Sequence, residues 1–179
     1  KVGMQCVDVS QALTLTPTAM VGTAVVTCQG SPRVSCETAA DGKTIRQYRN
    51  LGLVPEVFDD EILRGLTGHI AIGHVRYSTT GSSLLANTQP LLVNYAGGKI
   101  ALAHNGNLTN AADIRHNLEQ QGTIFQTSID SEVIVNLVAR SHKETIEERI
   151  IESLKMVKGC YCLAIMTEEK LIGARDPQG

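Results

Sequence analysis

The chain has 179 residues, enough for one domain with a substantial core. A net charge of −2 and a charged content of 19% give no electrostatic footing for nucleic acid or an anionic membrane surface. No apolar run reaches the roughly 18 residues that span a bilayer, and no compact apolar stretch follows Lys1 as a signal peptide would require.

Residues 1–40 are compositionally apart. They hold four charged residues, three of the five Cys and no aromatic. Val21–Cys28 is β-branched enough for a strand, and Gly30-Ser31-Pro32 reads as a turn. From Asp41 onward charges and aromatics return to ordinary density. Asp41-Gly42 marks a turn before Lys43–Asn50, and Asp59–Arg64 predicts a short helix ending near Gly65.

Gly68–Tyr77 alternates, with Ile70, Ile72, His74 and Arg76 on one face, which predicts a strand. Gly81–Pro90 is a loop. Leu91–Tyr95 and Lys99–His104 flank Gly97-Gly98 as a hairpin, and Asn105-Gly106 is expected to end its second strand. Three helices are predicted next: Ala111–Gln121 capped by Asn110, Asp130–Ser141, and Ile146–Lys158 capped by Thr145 with Gly159 past its end. Cys160–Met166 and Leu171–Ala174 make a closing hairpin. Strands grouped apart from helices predict antiparallel sheets with helices on their faces, not a doubly wound parallel fold.

Three phrases carry chemistry: Gly73–Gly81 (GHVRYSTTG), Ala103–Asn110 (AHNGNLTN) and Ser128–Val133 (SIDSEV). A guanidinium at a strand end, Arg76, can hold a carboxylate through two parallel hydrogen bonds or make an ordinary ion pair. Asn105-Gly106 can present two donors to one oxygen, as in an oxyanion hole, or can be a plain turn. Asp130 at a helix start is either a cap or the partner of an ammonium group. His74 and His104 read as structural histidines, with no Cys or acid at metal-ligand spacing. The five Cys, an odd number without a small-scaffold spacing, read as reduced thiols in a cytoplasmic setting.

Taken together, these phrases resemble the glutaminase domain of the amidophosphoribosyltransferase family, over about Asp41 to Gly179. The resemblance implies a four-layer αββα sandwich of the N-terminal-nucleophile hydrolase type, within the α+β class. It also implies release of ammonia from glutamine for transfer to phosphoribosyl pyrophosphate, which opens purine biosynthesis. Carried over by position, Arg76 resembles the ligand of the glutamine α-carboxylate and Asp130 the partner of its α-ammonium. Asn105 and Gly106 resemble the oxyanion hole, and Thr79 lies on what resembles the mobile glutamine loop. The family's nucleophile is an N-terminal Cys, for which Cys6 is the best candidate once five residues are removed. The resemblance implies no cofactor or metal in this domain. Mg, a phosphoribosyltransferase domain beyond Gly179 and homo-oligomers belong to the full-length family.

Residues 1–40 lack the family's Cys-Gly-Val-Phe-Gly opening and its later His-Arg-Gly-Gln-Glu phrase. Two explanations stand, translation out of frame and a divergent replacement. Either predicts that one sheet loses an inner strand and exposes an unpaired edge. A non-catalytic glutamine-binding or assembly module is the alternative function. A glutaminase of the glucosamine-6-phosphate synthase type fits the wording of the phrases less well.

Overall fold

A computed structural model describes residues 13–15, 22–27, 34–76 and 85–177, with side chains from 36 to 75 and from 85 to 177. Two β-sheets pack face to face, and helices cover the far side of one of them.

The first sheet has the order β1 (Leu13–Leu15), β9 (Leu171–Arg175), β8 (Gly159–Met166), β7 (Gly98–Leu108) and β6 (Leu91–Tyr95), antiparallel throughout. The second has the order β2 (Gly22–Thr27), β5 (Ile70–Arg76), β3 (Val34–Ala40) and β4 (Ile45–Leu51). Here the expectation of antiparallel sheets is corrected in one pair, since β2 runs parallel to β5. The expected loss of an inner strand is corrected too. Val34–Ala40 is itself an inner strand, held between β5 and β4. A ladder requires backbone N–H and C=O groups more than particular side chains, so an atypical segment can still fill the place.

Side-chain alternation along β7 and β8 divides the interior into two cores. Ala101, Ala103, Ala164 and Met166 point into the inter-sheet space and meet Ala40, Ile45, Ile70 and Ile72 of the second sheet. Their small volumes let the sheets approach closely. On the other face, Leu102, Leu163 and Ile165 pack against α3 (Ala111–Gln120), α4 (Glu132–Arg140) and α5 (Ile146–Leu154). Val133, Ile134, Leu137 and Val138 of α4, the residues at helical spacing, are all buried in this layer.

The outer face of the second sheet is covered more thinly. Short helix α1 (Val54–Val57) lies against β3 and β4, and the Phe58 ring meets Tyr48 edge-on at 5.8 Å between centroids. Helix α2 (Asp60–Gly65) follows, with the Asp59 carboxylate accepting from the Glu61 and Ile62 N–H groups. The result is an α+β sandwich whose helical layer on this side is slight.

Several boundaries differ from expectation for identifiable reasons. Strand β7 does not stop at Asn105-Gly106 but continues to Leu108, with Asn105 opposite Cys162 and Gly106 opposite Tyr161. Asn110 does not cap α3 with its side chain. It bridges instead to the approach of β8, donating to the Met156 carbonyl and accepting from the Lys158 N–H. Thr145 does cap α5, in a reciprocal box with Glu148.

Candidate functional site

The final residues of β7 and the approach to α4 form the candidate site. Gly106 has φ +137°, and a Cβ there would fall 2.1 Å from the Cys160 carbonyl oxygen. Across the ladder, Gly159 has φ +123°, and its Cβ would fall 2.2 Å from the Asn107 carbonyl oxygen. Two glycines thus let β7 and β8 close on each other with a backbone geometry that other residues rarely adopt. Asn105 shares the parity of Ala101 and Ala103, so its side chain belongs to the inter-sheet face. His104 belongs to the helical face.

Asp130 approaches from that helical side. One carboxylate oxygen, Oδ2, accepts from the Leu108 N–H at 3.0 Å, and the other lies 3.4 Å from His104 Nδ1. The carboxylate therefore brackets Asn105, Gly106 and Asn107, touching the His104 side chain before them and the Leu108 N–H after them. It does not cap α4, whose first residue is Glu132 and whose N-cap Ser131 makes no side-chain cap hydrogen bond. Burial pushes the Asp130 carboxyl upward, but His104, the Leu108 N–H and the Ser131 N–H outweigh it, leaving the group below its ordinary range. At 28% side-chain exposure it is an ionised carboxylate partly open to the outside.

The loop that presents Asp130 is fixed at both ends. Glu132, itself buried, accepts from the Gln126 and Thr127 N–H groups and from the Thr127 hydroxyl. Asn87 and Ser128 exchange two hydrogen bonds, Asn87 Nδ2 donating to Ser128 Oγ and the Ser128 N–H to Asn87 Oδ1. Gln89 Oε1 accepts from the His104 N–H at 2.6 Å, which pins β7 directly before Asn105. Below the site, the buried Asp176 carboxylate accepts from the Tyr161 N–H, opposite Gly106.

Of the residues singled out in the sequence, Asn105, Gly106 and Asp130 are therefore brought together. Arg76 is the last residue of β5, its backbone paired with Val34, and its side chain lies outside the described atoms. Thr79 and Cys6 lie outside the described residues. Glu132, Asn87, Gln89 and Asp176 were not found by sequence reasoning, because their partners are distant in the chain or are backbone groups. Among the described residues no group of three or more His, Cys, Asp or Glu could hold a metal ion, and no helix is long and apolar enough to cross a membrane.

Residues 74–179 match the glutamine amidotransferase domain family, more than half of the chain. The chain belongs to the glutamine amidotransferase domain family. Among similar proteins, the amidophosphoribosyltransferase of Methanocaldococcus jannaschii is 49% identical over 142 residues, covering 78% of this chain and 30% of that protein. The amidophosphoribosyltransferase of Bacillus subtilis is 47% identical over 142 residues, covering 79% and 30%. A solved structure described as glutamine phosphoribosylpyrophosphate amidotransferase from B. subtilis, complexed with ADP and GMP, superimposes with a TM-score of 0.77. It is 43% identical, and the match covers 83% of this chain and 32% of that one. A second, described as the allosteric regulatory enzyme of purine biosynthesis, gives a TM-score of 0.79 at 45% identity, with coverage of 83% and 32%. The chain thus spans about 30% of the length of the curated relatives it matches. Its sandwich is the N-terminal-nucleophile hydrolase fold of those amidotransferases.

Proposed function

We propose that residues 1–179 form the glutaminase domain of an amidophosphoribosyltransferase, releasing ammonia from L-glutamine in the first step of de novo purine biosynthesis. The observation that carries this reading is the ionised Asp130 carboxylate bracketing Asn105, Gly106 and Asn107 on β7. In this reading Asp130 takes the glutamine α-ammonium and Arg76 its α-carboxylate, with Thr79 as a further substrate-binding residue. Cys6, freed of residues 1–5, attacks the side-chain amide carbon, and its own α-amine takes the thiol proton. The tetrahedral oxyanion receives hydrogen bonds from the Asn105 side chain and the Gly106 N–H. On collapse the α-ammonium of Cys6 returns that proton to the leaving nitrogen, the C–N bond breaks, and ammonia departs from the thioester. Water then hydrolyses the thioester to glutamate.

Ammonia passes to a downstream phosphoribosyltransferase domain that carries Mg and uses phosphoribosyl pyrophosphate, within a cytoplasmic homo-oligomer. No resident cofactor is needed for the glutaminase half-reaction as written. The chemistry needs neither nucleic acid nor membrane.

A second reading has its own support. The family match starts at residue 74, so it leaves Cys6 outside, and residues 1–40 lack the family's opening phrase. A module that binds glutamine without turning it over would have these properties. Incubation with a glutamine-analogue diazoketone, followed by intact mass and peptide mapping, separates the two. A single adduct on Cys6, with residues 1–5 removed, is the expected result. A folded chain that takes no adduct on Cys6 contradicts the glutaminase reading and favours the binding module.

A further inference from the structure

His104 is the residue immediately before Asn105, and its imidazole is 2% exposed. Its backbone N–H is taken by Gln89 Oε1, its Nδ1 faces Asp130 Oδ1 at 3.4 Å, and its buried Nε2 has no hydrogen-bond partner among the described residues. A neutral imidazole turned this way carries its proton on Nδ1, toward the carboxylate, and leaves the bare nitrogen in the core. The second Asp130 oxygen is already fixed by the Leu108 N–H. The His104 contact, together with the Ser131 N–H, then limits rotation of the carboxylate about that anchor.

We propose that His104 is a positioning residue: it orients the Asp130 carboxylate for the α-ammonium of the substrate and ties that recognition to the adjoining Asn105-Gly106 pair. This deepens the proposed function and rests on its assignment of Asp130. A residue that merely fills the core would affect every ligand of the site alike. A residue acting through Asp130 affects only ligands that carry an ammonium group.

The test is calorimetric titration of the full chain with L-glutamine and with 4-carbamoylbutanoate, which lacks only the α-amino group. In His104→Ala, glutamine binding is expected to weaken about tenfold or more, the scale of one charge-assisted hydrogen bond, while binding of the des-amino analogue changes less than about twofold. His104→Asn, whose amide can stand near the Nδ1 position, is expected to restore the preference for glutamine. His104→Gln, whose amide reaches toward the Nε2 position, is not. Equal losses for both ligands, or no loss, overturn the proposal. If His104→Ala does not fold, the Asn and Gln variants decide between the same outcomes. Asp130→Asn checks the assignment beneath it. If that variant still prefers glutamine over the analogue, or the parent chain binds no glutamine, the Asp130 assignment falls and takes the His104 proposal with it. If Asp130→Asn loses the preference and the His104 variants keep it, only the His104 proposal falls.

Discussion

Gly106 shows how much one residue settles in this chain. Asn-Gly is a common turn pair, and by local chemistry alone it should end a strand. Here the positive φ is used inside a ladder, where the Cys160 carbonyl leaves no room for a Cβ. Gly106→Ala is expected to cost about 3 kcal/mol of stability, measured by denaturant unfolding, through overpacking and backbone strain together. Asp130 was ambiguous in the sequence for a related reason: a cap and a tertiary carboxylate look the same until the partners are known. Its lowered pKa makes a signed prediction. The stability it contributes is present above the ordinary aspartate pKa and is lost as pH falls through the lowered folded value. The stability gap between parent and Asp130→Asn should therefore hold steady at neutral pH and shrink below about pH 4. Cys36 offers a contrast. Burial pushes its thiol up to about 12, although Arg49 nearby pulls the other way. A thiol reagent at pH 8 should modify exposed Cys160 promptly and Cys36 only after unfolding, as mass mapping would show.

Elements whose signals are local were legible. The alternation in β5, the hairpin β6–β7 and the apolar spacing of α4 all came through, because each buries one face whose period is written in the sequence. The box at the start of α5 is another case. Thr145→Ala should lower thermal stability by about 1 kcal/mol, since one Glu148 backbone N–H loses its acceptor. Elements that depend on distant partners were not legible. Asn110 had the look of a cap, yet its amide serves the turn between α5 and β8, over 46 and 48 residues of sequence separation. The parallel pairing of β2 with β5 and the short α1, which opens at an exposed Leu53 and is closed by Glu56 accepting from the Leu53 N–H, left no periodic trace.

At the scale of the molecule, two cores of different texture are arranged around one sheet. Helices meet it through large aliphatic side chains, whereas the other sheet meets it largely through alanines. The site lies where β7 runs out between these layers, with Asn105 turned to one and Asp130 docked from the other. Ala103→Leu should force the sheets apart at a cost of about 1–3 kcal/mol and disturb the adjoining Asn105 as well. The sandwich was legible because the phrases that carry it are short and specific; the proximity of Asp130 to Asn105 and Gly106, and the clamps by Glu132, Asn87 and Gln89, were not, because nothing local distinguishes them. In the proposed function the Asn105-Gly106 pair stabilises an oxyanion on glutamine. This role is tested most directly by the rate of glutamate formation from L-glutamine in the chain freed of residues 1–5 and in Asn105→Ala processed in the same way. Measurable turnover is expected in the processed parent, and a loss of about a hundredfold in kcat, with KM little changed, in the variant. A folded, processed parent that forms no glutamate, or a variant as fast as its parent, would contradict this role.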